Sequence, residues 1–92
     1  MLGVFIFKKK HMSIIKEIIE GTKIHIEIDS SNLRKASYDT ATKLLEVEFK
    51  NGIIYEYQEI PHIIFTRLRM NESQGKYFNS EISKKFKYTK KS

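Results

Sequence analysis

Cations and aromatic rings alternate through residues 67–88: Arg67, Arg69, Lys76, Tyr77, Phe78, Lys84, Lys85, Phe86, Lys87 and Tyr88. Lysine and arginine hold phosphates and rings stack on nucleobases, so these are the components of a nucleic-acid contact surface. The charge balance points to the same end of the chain. Residues 1–66 contain nine Lys/Arg and nine Asp/Glu, whereas residues 67–92 hold eight cations against Glu72 and Glu81, so the whole net charge of +6 lies in the last quarter. A clustered field of this kind concentrates polyanions. A solubilising Lys-rich terminus has the same composition, and Phe78 and Phe86 have the spacing of core anchors.

Other reactive side chains are sparse. His11, His25 and His62 fall on three separate elements, none at metal-ligand spacing, so they read as surface residues and no metal is assigned. Ser73 and Lys76 fit a Ser-x-x-Lys pattern, as do Ser13 and Lys16, but neither pair has the companion motifs of a Ser/Lys hydrolase. The sequence has no Walker-type loop and no dinucleotide fingerprint. It has no cysteine, which removes disulfides, Cys-based zinc sites, iron–sulfur clusters and thiol nucleophiles. No nucleophile–base or carboxylate pair can be placed, so the expectation is a non-catalytic protein without a cofactor. No apolar run approaches the roughly 20 residues that span a bilayer. Leu2–Phe7 precedes Lys8–Lys10, the reverse of a secretory signal, so a cytoplasmic protein away from membranes is expected.

These side chains need a scaffold, and 92 residues with 40% hydrophobic content supply one small core. Ser13 as N-cap, isoleucines at 14, 15, 18 and 19, and Gly21 as a C′ residue predict a two-turn amphipathic helix at about 14–20. Ile24, Ile26 and Ile28 alternate with polar residues, which predicts a half-buried strand over 22–29. Further strands follow at 33–38, 44–49 and 53–58. Pro61 opens a helix through about Met70 whose buried face is Ile60, Ile64 and Leu68, leaving Arg67 and Arg69 outside. A second helix runs over 75–83, and its start near Gly75 favours an anion. The expected fold is α+β: a small antiparallel sheet of three to four strands, packed on one face by short helices. Residues 1–12 read as a leader that is disordered or foreign to the fold, with Met12 as a second candidate start. Residues 13–28 read as an added helix and strand, and 89–92 as a disordered basic tail.

The turn at Asn51-Gly52 admits two registers. A two-residue loop pairs Phe49 with Ile54 and places Tyr55 and Tyr57 on the surface beside Glu46 and Glu48. A three-residue loop, with Gly52 in the left-handed position, pairs Phe49 with Ile53 instead. Leu45, Val47, Phe49, Ile53, Tyr55 and Tyr57 then share one face, opposite Glu46, Glu48 and Glu56. One residue of slip inverts every side chain, and the second register sorts apolar from charged. Burying two rings at about 25 cal/mol per Å² favours it.

The ordered string Ser30-Ser31-Asn32-Leu33, Tyr38-Asp39, Leu45–Phe49 with Asn51-Gly52, Tyr55-Glu56-Tyr57, Ile60-Pro61, Ser73–Asn79, Ile82 and Phe86-Lys87-Tyr88 resembles the KTSC domain family over about residues 29–88. Family members occur at the C-terminus of some lysyl-tRNA synthetases and as stand-alone bacterial or phage proteins, a setting that implies RNA binding. On that resemblance Ser30 and Ser31 are candidate polar contacts and Asn79 joins the RNA-contacting set, while the register above makes Tyr55 and Tyr57, with hydroxyls reaching the sheet edge, candidate polar contacts too. That set is Arg67, Arg69, Lys76, Tyr77, Asn79, Lys84, Lys85, Lys87 and Tyr88. Two other functions fit the sequence. One is a homodimer or protein-binding module using Ile54 and the Ile14–Ile19 segment. The other is a pocket for a phosphorylated small molecule near Gly75–Asn79.

Overall fold

The computed structural model describes residues 3–5 and 14–91. Its strands are β1 (Gly3–Phe5), β2 (Ile14–Glu20), β3 (Lys23–Ile28), β4 (Leu33–Asp39), β5 (Leu44–Phe49), β6 (Ile54–Tyr57) and β7 (Tyr88–Lys90). Helices α1 (His62–Met70) and α2 (Gln74–Glu81) lie between β6 and β7. The strands form one antiparallel sheet in sequence order, so each pairs with its chain neighbours. The α+β class and the antiparallel sheet under short helices are as expected. The described sheet has seven strands rather than three or four.

Three corrections account for the additional strands at the two ends of the sheet. The segment 14–20 is not a helix but β2, paired with β3 from Ile14↔Ile28 to Glu20↔Lys23. Isoleucine spacing fits either structure, but β-branched side chains favour a strand when a sheet edge is available. Gly21 is a turn residue instead of a helix terminator: its φ of +60° opens the two-residue loop to β3, where a II′ turn favours glycine. The second correction concerns the C-terminus. Thr89 and Lys90, expected in a disordered tail, pair with Glu56 and Tyr55 in β7. Of the expected leader, Gly3–Phe5 pairs with β2 as β1, while the rest of it, including His11 and Met12, lies outside the described residues.

The β5–β6 hairpin takes the three-residue loop. Val47 faces Tyr55 and Leu45 faces Tyr57. The Phe49 N–H donates to the Ile53 carbonyl at 2.9 Å, and Gly52 has a φ of +90°. Leu45, Val47 and Tyr57 are buried on the helix side with Ile26, Ala36 and Tyr38, under Phe65 and Leu68 of α1 and Phe78 of α2. Tyr38 stacks on Phe65 with ring centroids 4.6 Å apart, and its hydroxyl donates to the Ile60 carbonyl at 2.6 Å. That bond satisfies a buried polar group and fixes the entry into α1.

Glu17 ties β2 to the helical layer. It pairs with Ile26, which turns its carboxylate to the helix side of the sheet, where it is buried. Arg69 Nε and Nη2 donate to Glu17 Oε1 at 3.0 and 2.7 Å, and Nη2 reaches Oε2 at 2.6 Å. The Glu17 side chain is 4% exposed and that of Arg69 27%. Arg69→Ala therefore strands a carboxylate out of reach of water and should cost about 3 kcal/mol in urea unfolding. Glu17→Ala leaves a guanidinium that water can still reach and should cost distinctly less. Equal losses would contradict this picture.

Burial raises the Tyr57 hydroxyl pKa from 10.0 to about 12, with Tyr88 and Tyr55 adding to the rise. The folded state thus holds this proton more tightly than the unfolded chain. Its contribution to stability is intact below pH 10.0 and is lost as pH climbs toward about 12. Urea midpoints measured across that window should fall for the parent protein and fall less for Tyr57→Phe.

Candidate nucleic-acid interface

The turn between β3 and β4 is closed by its own side chains. Ser30 Oγ accepts from the backbone N–H groups of Asn32 and Leu33, both at 3.3 Å, and donates to Asn32 Oδ1 at 3.0 Å. Helix α2 starts against this turn. Ser73 is its N-cap, accepting from the Lys76 N–H at 3.4 Å. Gln74, fully buried, donates from Nε2 to the carbonyls of Leu68, Arg69 and Asn71, fastening the start of α2 to the end of α1. Gly75 permits the close approach: a Cβ there would lie 2.8 Å from Asn32 Oδ1 and 3.0 Å from Ser30 Oγ.

Between turn and helix lies an open recess of about 550 Å³, lined by polar groups from Asp29, Ser30, Ser31, Asn32, Ser73, Lys76 and Asn79, with Gly75 at its wall. The structure therefore brings together Ser30, Ser31, Lys76 and Asn79, which lie more than forty residues apart in sequence. Asp29, Asn32 and Ser73 were not among the expected contacts. The Ser-Ser-Asn turn and the Asn-x-Ser before α2 carry the local signal for them, since such residues bond their own backbone. Ser73, half of the Ser-x-x-Lys pattern, has its hydroxyl engaged as the helix cap.

The cations divide into engaged and unengaged sets. Arg69, expected on the outer side of α1, is held by Glu17. Lys85 pairs with Glu81 at 3.0 Å. Lys91 bridges Glu46 and Glu56, and those two carboxylates raise its pKa, Glu56 most. Among the described residues, Arg67, Lys76, Lys84, Lys87 and Lys90 have no carboxylate within 4.0 Å and are exposed. The acids concentrate elsewhere: Glu20, Glu27, Glu46 and Glu48 line a groove of about 520 Å³ on the helix-free face, with Lys16, Lys35 and His25.

The rings also sort into two groups. Phe78 and Tyr57 are core residues, and Phe86 is half-buried against the core. Tyr77 is half-buried, and burial raises its pKa, opposed by nearby Arg67 and Lys85. Tyr55 is half-buried, and Tyr88 is 53% exposed.

On the helix-free face, His25 Nδ1 lies 2.7 Å from Ser37 Oγ and Nε2 lies 3.5 Å from Glu20 Oε1. Ser37 sits within β4, between β3 and β5, so the backbone around it serves the sheet ladder instead of an oxyanion. His62 Nε2 contacts the Thr40 carbonyl at 2.9 Å, and His11 lies outside the described residues. Ile18 and Ile54 line the same free-face groove, and Ile15 is 52% exposed, so these isoleucines stand on a sheet, not on the expected helix. No helix among the described residues is long and apolar enough to cross a membrane.

An antiparallel meander capped by two helices is the fold of a known domain class. Residues 29–86 match the KTSC domain, and the chain belongs to that family. It is 37% identical over 54 residues to an uncharacterized protein of Stutzerimonas stutzeri, covering 59% of this chain and 76% of that one. It is 35% identical over 60 residues to a lysine–tRNA ligase of Trichormus variabilis, covering 65% of this chain but only 11% of the ligase. Its fold is similar to the crystal structure of a KTSC domain protein from Yersinia pestis, with a TM-score of 0.70 and 25% identity over 76% of this chain and 99% of the other.

Gly75→Ala pushes a methyl against the Ser30–Asn32 pair and should destabilise the fold by about 1–3 kcal/mol. In an Asn32→Ala background the same change should cost less, because the nearest atom is gone. A double-mutant cycle in urea measures the coupling, and strict additivity would contradict the contact.

Proposed function

We propose that this chain is a non-catalytic RNA-binding domain. The reading is carried by the convergence of Ser30, Ser31, Lys76 and Asn79 in one polar recess at the start of α2, on a chain whose exposed Arg67, Lys84 and Lys87 have no carboxylate within 4.0 Å among the described residues. A helix N-terminus and an ammonium favour a phosphate, and hydroxyl and amide side chains suit a ribose. Arg67, Lys84 and Lys87 add phosphate contacts, whereas Arg69 is committed to Glu17 and Lys85 is shared with Glu81. The position of Glu20, Glu27, Glu46 and Glu48 on the helix-free face supports the reading, because a polyanion at the recess is kept from those four, although Asp29 stands in the recess wall. Relatives named as lysine–tRNA ligases carry a similar stretch of 60 residues, and the tRNA in that name supports the reading.

Four phosphate-holding cations give a slope of about −3 to −4 for log K against log salt. Titration of tRNA into the full chain at several salt concentrations should show that slope, and Lys76→Glu or Lys84→Glu should weaken binding by about tenfold at low salt. A flat salt dependence, or no binding in low salt, would overturn the reading. Stabilisation by mononucleotides without RNA binding would point to a small phosphorylated ligand instead.

A further inference from the structure

Tyr88 is the most solvent-exposed of the aromatic rings that pack on one another, and it stands on the outermost strand. It is held from beneath: its centroid lies 5.3 Å from that of Tyr57, tilted by 37°, and 5.0 Å from that of Tyr55 at 73°. Tyr57 is in turn wedged against Phe78 at 5.3 Å. The ring is therefore positioned by the core while half of it faces water.

Strand register supplies the charge around it. Tyr88 pairs with Tyr57 and Lys90 with Tyr55, so both β7 side chains share the helix-side face with the two tyrosines. Thr89 pairs with Glu56 and belongs to the opposite face, where Lys91 meets Glu46 and Glu56. The acids of β5 and β6 are thus separated from Tyr88 and Lys90 by the sheet.

The rings continue toward the recess. Tyr55 meets Phe49 edge-on at 5.8 Å, and the next residue, Lys50, donates its N–H to the Asn32 carbonyl at 2.9 Å. Asn32 lines the recess. One line of contacts runs from the recess through Phe49 and Tyr55 to Tyr88 and Lys90.

Building on the RNA-binding reading, we infer that this track takes an unpaired RNA segment, with a base stacked on Tyr88, its neighbour against Tyr55, and the backbone neutralised by Lys90. Bases in a duplex have both faces covered by their neighbours, so only an unpaired strand can use an exposed ring. Tyr77 stands apart from this line of rings, half-buried beside Arg67 and Lys85.

The test uses the full chain with an unstructured oligouridylate of about twelve nucleotides and an RNA duplex of equal length at matched salt. The single strand should bind at least about tenfold more tightly than the duplex. Tyr88→Leu should lose about tenfold or more on the single strand, with the duplex affinity and the salt slope unchanged, and Tyr88→Phe should restore it. The chain has five tyrosines and no tryptophan, so oligouridylate should also quench tyrosine emission, less so in Tyr88→Leu. Equal affinity for both RNAs with no effect of Tyr88→Leu would overturn the stacking track while leaving RNA binding intact. Failure of both RNAs to bind would overturn the two together. Displacement of oligouridylate by polyglutamate of equal charge would identify an acidic-peptide surface and also overturn the inference.

Discussion

Gly52, at a φ of +90°, closes the loop between β5 and β6, and the orientation of every side chain on those strands follows from it. With Phe49 hydrogen-bonded to Ile53, Leu45, Val47 and Tyr57 lie under the helices while Glu46, Glu48 and Glu56 point away. The neighbouring register would turn Glu56 into that core and leave Tyr55 and Tyr57 outside beside Glu46 and Glu48. Buried carboxylates without partners are far more costly than a less favourable turn, so the hydrophobic pattern dictates the loop. The same constraint reaches function, because it turns the acidic side chains of β5 and β6 away from the face that bears α1, α2 and the ring of Tyr88.

The helices are held to that face by polar contacts as specific as the packing. Tyr38 donates to the Ile60 carbonyl just before α1, and Gln74 gathers three carbonyls from the end of α1 at the first residue of α2. Carbonyls at a helix C-terminus have no partner within the helix, so a buried glutamine amide there both satisfies them and fixes the angle of the next helix. Gly75 can then lie against the Ser30–Asn32 turn without a Cβ in the way. The recess is thus a consequence of how α2 is anchored: a shift at Gln74 would open or close it.

Much of this was legible along the chain, and the failures have local causes. Strands β3 and β5 alternate strictly, and α1 repeats its apolar residues at helical spacing, so each declared itself. The isoleucines at 14–19 suit a helical face and a strand equally, and Gly21 suits the end of one and the turn of the other. What decides between them is not local: β3 offers an edge, and Glu17 finds Arg69 across the core. Strand β7 has only three residues, one a lysine, and exists because β6 needs a partner. The family resemblance suggested Ser30, Ser31 and Asn79, and the cationic start of the second helix suggested Lys76. Their meeting depends on the Gly75 contact, which no periodicity encodes.

Strand β7 carries two requirements at once. As an edge it presents unpaired backbone groups that would template pairing with another chain, and lysines are a common protection against that outcome. Lys91 is spent on Glu46 and Glu56, which pins the strand's end to the acidic face. Lys87 and Lys90 have no carboxylate partner among the described residues, so their repulsion guards the edge and their charge remains available to a polyanion. Edge protection alone explains the lysines but not Tyr88, whose ring is half in water although its contacts with Tyr55 and Tyr57 need only its inner side. An aromatic ring placed by the core, on the same face as Lys90 and separated by the sheet from the acids of β5 and β6, is better matched to a ligand that has both charge and flat apolar faces.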